Sequence, residues 1–242
     1  KALDNYLSFQ YVVPPETFFE GIYCLLPGHY LWYRDGKVTT TRYFEATFKP
    51  DESLTLDKAV DEIEAVFEDS VNAHKISDVE VGCFLSSGVD SSYVSTYFAD
   101  QKTFTVGFDF GDHYNEISWA KRLSEKIGVD HHTKLIGSDE FWGAVPKVQY
   151  QMDQPLADPS CIALYFVSKL ASKYVKVVLS GEGADELFGG YTVYNETHVF
   201  KLYQKIFNQK ARTALANKAR KMPHIKGRGF ILRGERVTEE KF

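Results

Sequence analysis

Two short polar loops carry the residues best suited to chemistry in this chain. The first, Ser86-Ser87-Gly88-Val89-Asp90-Ser91, follows a dense apolar run from Val79 to Leu85 and precedes a renewed helical pattern. Strand, tight loop and helix in that order place backbone N–H groups and hydroxyls at the positive end of a helix, where a phosphate is stabilised. The second, Ser180-Gly181-Glu182-Gly183-Ala184-Asp185-Glu186, also ends an apolar run, Val175 to Leu179. Its glycines permit close backbone approach, and three acidic residues beside them do not suit a simple solvated helix face.

Neither loop fits the commoner motifs. No GxxxxGK followed by Ser or Thr occurs, and GxGxxG fails because Glu186 stands where the third glycine belongs after Gly181 and Gly183. A GxSxG elbow and an HExxH helix are missing as well. Kinase, dehydrogenase, hydrolase and zinc-protease chemistries therefore lose their main support.

The elements that must hold these loops alternate. Apolar residues at Leu56, Val60, Ile63, Phe67 and Val71 recur at helical spacing. A strand over Val79–Leu85 follows, with the apolar density of a central parallel strand. A short helix over Ser91–Phe98 leads to a second strand, Thr103–Phe108. Asn115 can cap a helix bearing Ile117, Ala120, Leu123 and Ile127 on one face, with Gly128 as its stop. His131–Ile136 forms a third strand, and a helical region runs from Ser138 toward Met152. Pro159 opens another helix through Tyr174, and Val175–Leu179 is the fourth strand. Such alternation predicts an α/β fold with an open, doubly wound parallel sheet, whose ligands sit at the carboxyl ends of the strands. Ahead of it, residues 1 to about 49 read as β structure. YLSFQYVV precedes Pro14-Pro15, and HYLWYR and KVTTTRYF flank the hairpin signal Asp35-Gly36. A lone hairpin is too small to be stable, so it packs on the next domain or continues a sheet outside this chain. From Tyr194 onward the sequence is helical and polar.

A chain of 242 residues with 44% hydrophobic and 15% aromatic content can bury a sizeable core. No apolar run approaches the roughly 20 residues of a membrane helix, and the start KALDNYLSFQ lacks signal-peptide character. A cytoplasmic protein without membrane partners is the expectation. Cys24, Cys83 and Cys161 are odd in number and far apart, which argues for packing over a disulfide framework or a zinc site. The net charge of −5 hides a division, since 12 of the 28 basic and only 3 of the 33 acidic residues lie from Lys201 onward. Solvated amphipathic helices account for this, as does a surface that meets an acidic partner or another domain. Nucleic acid is not an expected partner, because no aromatic platform accompanies the charge.

Ser86 to Ser91 is similar to the SGGxDS pyrophosphate loop of the N-type ATP pyrophosphatases, with Ser87 in place of a glycine. The run VVLSGEGADELFGGY, Val177 to Tyr191, resembles the signature of the asparagine synthetase family nearly residue for residue. Thr103 to Phe108 resembles the family's adenine-supporting strand, and Tyr114-Asn115-Glu116 the start of the helix after it. Asp153-Gln154-Pro155 to Asp158-Pro159-Ser160 resembles its D-x-P…DPS segment, and the hairpin with Gly21 to Gly28 its join between glutaminase and synthetase domains. Together these segments cover essentially the whole chain.

The resemblance implies roles. ATP and magnesium are the cofactors, and aspartate and ammonia the other reactants. Ser86, Ser87, Gly88 and Ser91 would hold pyrophosphate, the backbone of Leu85 and Val106 would contact adenosine, and Ser180 with Gly181 would close the pocket. Glu182 would support formation of an acyl-adenylate, while Asp90 and Asp185 would bind magnesium. No catalytic role falls to His113, His131 or His132. Residues 1–49 would be a β-hairpin linker from a glutaminase (glutamine amidotransferase) domain outside the chain. Residues 50–242 would be the synthetase domain, cut before the C-terminal helical region that supplies a catalytic lysine. The fragment is then expected to bind nucleotide with little synthesis, and a homodimer is a further expectation. A β-lactam- or lactam-forming amide synthetase would share both loops, and a non-catalytic nucleotide-binding module would keep them without the chemistry.

Overall fold

A computed structural model describes residues 1–47, 49–98, 101–111 and 115–235, apart from the side chains of residues 193 and 195–198. His113 and Tyr114, named above, lie outside the described residues. The chain divides into two compact units, Lys1–Gly181 and Glu182–Phe242.

The first unit opens with α1 (Ala2–Phe9) and a hairpin of β1 (His29–Arg34) and β2 (Lys37–Arg42). The β reading of YLSFQYVV is corrected here: Leu3, Tyr6 and Leu7 have helical spacing, and Gln10 at φ 70° ends the helix in the left-handed region. The hairpin forms as expected, with Asp35 and Gly36 both at positive φ, the geometry of a primed turn. It remains a two-stranded sheet of its own, exposed at almost every residue.

Next come α2 (Leu56–His74), β3 (Val81–Phe84), α3 (Val89–Ser95), β4 (Lys102–Phe108), α4 (Ile117–Ile127), β5 (Asp130–Ile136), α5 (Ser138–Gln151), α6 (Ser160–Ala171) and β6 (Val177–Leu179). Thr55 caps α2 through Lys58 N–H. The apolar stripe of α2 reaches the core only at Phe67 and Val71, whereas Leu56, Val60 and Ile63 are exposed. Asn115 Oδ1 accepts from Ile117 N–H at the start of α4, and Gly128 at φ 73° closes that helix. The expected strands and helices of this region all occur, shorter by a few residues at β3, α6 and β6, and with α3 starting two residues before and ending three residues before the expected Ser91–Phe98.

The four strands β5-β4-β3-β6 pair in parallel in that order. One face of β3 joins Val71, Val94 and Phe98 through Val81 and Cys83. On the other face Phe104 packs with Val167, Leu170, Ala171 and Val175. Cys83 and Cys161 are buried as expected, and burial pushes the Cys83 thiol up to about 12. His132 stacks on Tyr174 at 3.9 Å and His131 pairs with Thr103 Oγ1 at 2.9 Å, both structural contacts. Among the described residues no helix is long and apolar enough to cross a membrane.

The second unit is helical: α7 (Ala184–Phe188), α8 (Thr192–Ile206), α9 (Gln209–Arg220) and α10 (Arg228–Arg233). Phe200 of α8 stacks on Phe230 of α10 with ring centroids 4.7 Å apart. Ala216 and Ala219 of α9 are buried, and Arg228 Nε donates to the Ala219 carbonyl at 3.0 Å.

Candidate active site

β3 has β4 on one side, reached directly, and β6 on the other, reached after the excursion through β5. The winding reverses between β3 and β6, so the loops leaving their carboxyl ends are neighbours, as Cys83 opposite Leu179 records. Both polar loops singled out in the sequence leave from these two ends.

The first loop is held by its own serines. Ser91 Oγ accepts from Ser86 N–H at 3.0 Å and lies 2.6 Å from Ser86 Oγ, which in turn accepts from Gly88 N–H at 3.1 Å. Ser92 Oγ donates to the Gly88 carbonyl at 2.6 Å. Gly88 is the N-cap of α3, which puts Asp90 in the first turn of that helix. Ser87 and Gly88 are exposed, while Ser86, Asp90 and Ser91 are half-buried. The hydroxyl network fixes the loop's curvature while leaving its rim open to a ligand.

Gly181, the last residue of the first unit, lies against the first loop. A Cβ at this position would lie 2.7 Å from both the carbonyl carbon of Asp90 and the N of Ser91. Only glycine lets the loop after β6 approach the start of α3 so closely. Ser180, beside it, is exposed.

Leu85 and Val106 mark the floor. Leu85 is buried, donates its N–H to the Phe104 carbonyl at 2.9 Å and accepts at its own carbonyl from the Thr105 hydroxyl. Because Phe104 faces β3, backbone alternation turns the N–H and C=O of Val106 to the same side, beyond the last β3 pairing at Phe84. The edge of β4 thus presents a peptide where its neighbour has already given way to the loop.

The second unit carries Glu182 and Asp185 on a tight turn. Gly183 takes φ 93° as N-cap of α7, and Asp185 is half-buried. A Cβ on Gly190 would lie 2.0 Å from Asp185 Oδ1, so that glycine makes room for the carboxylate. Tyr191 donates to Glu186 Oε1 at 2.7 Å, which pushes the phenol up to about 12.

Three neighbours of the first loop lay outside the expectations. Glu116 Oε2 accepts from Ser87 N–H at 3.2 Å, Ser92 braces Gly88, and Thr105 holds Leu85. Ser92 was within reach, being the next residue of the same serine run. Thr105 and Glu116 are joined to the loop by sheet pairing and by the approach of α4, which no local pattern encodes.

The donor set fits a nucleotide with a divalent ion. Serine hydroxyls and loop N–H groups suit phosphate oxygens. Among the described residues no three His, Cys, Asp or Glu side chains converge as a metal cage. A magnesium ion is commonly held by one or two carboxylates plus substrate phosphates, and Asp90 at the rim meets that need.

Residues 62–239 match the sequence profile described as asparagine synthase. The chain belongs to that family. It is 39% identical over 248 residues to asparagine synthetase [glutamine-hydrolyzing] 1 of Bacillus subtilis (strain 168), covering all of this chain and 39% of that protein. A putative asparagine synthetase [glutamine-hydrolyzing] of Mycobacterium bovis is 38% identical over 252 residues, again across the whole chain and 38% of the relative. Amidase chry2 of Gibberella zeae is 30% identical over 205 residues, covering 75% of this chain and 31% of its own length. The chain therefore spans about two fifths of the bacterial relatives' length.

Proposed function

We propose that this chain is the ATP-using part of a glutamine-dependent asparagine synthetase, residues 50–242 forming the synthetase domain and residues 1–49 its connecting segment. Aspartate's side-chain carboxylate attacks the α-phosphorus of ATP and pyrophosphate leaves, forming β-aspartyl-AMP. Ammonia then attacks the acyl carbon and expels AMP, leaving asparagine. The bacterial relatives are named as glutamine-hydrolysing, which supports ammonia from glutamine as the nitrogen source of the full-length protein. The cytoplasm is the compartment that goes with this activity.

The observation that carries this reading is Gly181 pressed onto the Asp90–Ser91 peptide, which joins the two strand-end loops at the reversal of the sheet. The Ser86, Ser87 and Ser91 hydroxyls, on a loop whose turn Gly88 permits, take the departing pyrophosphate, and the preset loop costs little to reorganise as its charge grows. Val106 offers its peptide to adenosine, and Leu85 the second lone pair of its carbonyl. Ser180 and Gly181 close the nucleotide pocket, and Glu182 supports adenylate formation. Asp90 and Asp185 are the carboxylates assigned to magnesium, which neutralises the phosphates when bound and so lets a carboxylate approach them.

A different amide-forming chemistry is the second reading, favoured by the fungal relative named an amidase. It keeps both loops and changes the acyl substrate. In the full-length protein, Asp90→Ala is expected to weaken Mg-ATP at least tenfold by isothermal titration. Unchanged affinity would remove the loop from the nucleotide site.

A further inference from the structure

Loop 152–158, between α5 and α6, is largely exposed, yet it is held from three directions. Within the loop, Asp153 takes φ 60° and Gln154 N–H donates to the Met152 carbonyl at 2.6 Å. From α5, Gln149 pairs with the Leu156 peptide, its Nε2 donating to the carbonyl at 2.9 Å and its Oε1 accepting from the N–H at 3.4 Å. The third hold comes from more than a hundred residues away. Phe18 N–H donates to Gln154 Oε1 at 3.0 Å, Gln154 Nε2 donates to Cys24 Sγ at 3.9 Å, and Ala157 N–H donates to the Gln10 carbonyl at 3.0 Å. Phe18 is itself anchored on α1 by an edge contact with Tyr6 at 5.8 Å.

Leu156 connects this brace to the site. It packs in the cluster that contains Val106 and Phe108 of β4 and Ile136 at the end of β5. The serine loop contributes no residue to that cluster, and its hydrogen bonds run within the loop and to Glu116.

We infer that Gln154 is a positioning residue through which segment 10–24 sets the nucleoside end of the site, leaving the pyrophosphate end alone. Moving the loop moves Leu156, and Leu156 and Val106 pack against the same buried cluster, through which the shift reaches the part of β4 that presents the Val106 peptide. The inference rests on the nucleotide reading above, and it assigns the N-terminal segment a part in ATP binding.

The test compares two ligands in the full-length protein, Mg-ATP, which needs both ends, and Mg-pyrophosphate, which needs only the pyrophosphate end. Gln154→Met keeps the volume and removes both hydrogen bonds. It is expected to weaken ATP about fivefold, the effect of about one net hydrogen bond, and to leave pyrophosphate affinity unchanged. Gln154→Glu keeps an acceptor for Phe18 N–H and is expected to restore most of the ATP affinity. Amide hydrogen exchange at Phe18 should quicken in the Met variant and not in the Glu variant. Unchanged ATP affinity in Gln154→Met would overturn the inference, and so would an equal loss for both ligands. A wild-type protein that binds pyrophosphate but not ATP would instead sink the nucleotide reading, and the inference with it.

Discussion

Gly181 is the residue where a single methyl group should matter most. With 2.7 Å to the Asp90–Ser91 peptide, an added Cβ has backbone on its far side and no flexible side chain to displace. Gly181→Ala is expected to lower stability by ~1–3 kcal/mol, the usual cost of overpacking, and to weaken Mg-ATP by about an order of magnitude. Thermal melts and titration calorimetry read the two effects separately. His131 sets a pH dependence. Burial, with His132 beside it, holds its pKa below the ordinary 6.5, against an opposing pull from Asp130, and its Nε2 has no hydrogen-bond partner among the described residues. Lys121 and Glu125 line the hollow next to it. A histidine with a lowered folded pKa is protonated first in the unfolded chain. Its stabilising contribution is therefore complete above 6.5 and is lost as pH falls below that value toward the lowered folded pKa. His131→Gln should show a smaller fall in Tm between about pH 7 and about pH 5 than the parent protein. At this scale the serine loop and Gly181 were legible in the sequence because their chemistry is local. Glu116 and Thr105 were not, since each meets the loop only after the sheet has formed.

Among elements, β4 is the most heavily committed. Phe104 is fully buried between α6 and the stacked His132–Tyr174 pair. Phe104→Ala should cost ~3–5 kcal/mol, read as a lower denaturant midpoint with an unchanged slope. The parallel strands could be recognised from sequence because each is a dense apolar run bounded by turn residues, and the helices because their stripes keep a regular period. The α1 segment defeats the same logic. Its aromatic and apolar residues have strand-like composition, its helical period spans only two turns, and Leu3, Leu7 and Phe9 remain exposed, so burial gives no cue. In α2 the spacing of the stripe encodes a helix, but not that only Phe67 and Val71 of the stripe reach the core. That depends on where the helix crosses β3.

For the whole molecule, sheet order decides more than any one element does. The arrangement β5-β4-β3-β6 places the reversal between the two loops that family resemblance had already paired. Sequence spacing alone leaves them about ninety residues apart, from Ser91 to Gly181. Family membership and the joined loops together carry the proposal that ATP is cleaved between its α and β phosphates, with aspartate as the acceptor. Phosphorus NMR of the full-length protein with Mg-ATP, aspartate and ammonia tests that directly. AMP and pyrophosphate should appear in equal amounts, and only when aspartate is present. Formation of ADP and inorganic phosphate, or AMP release indifferent to aspartate, would contradict it.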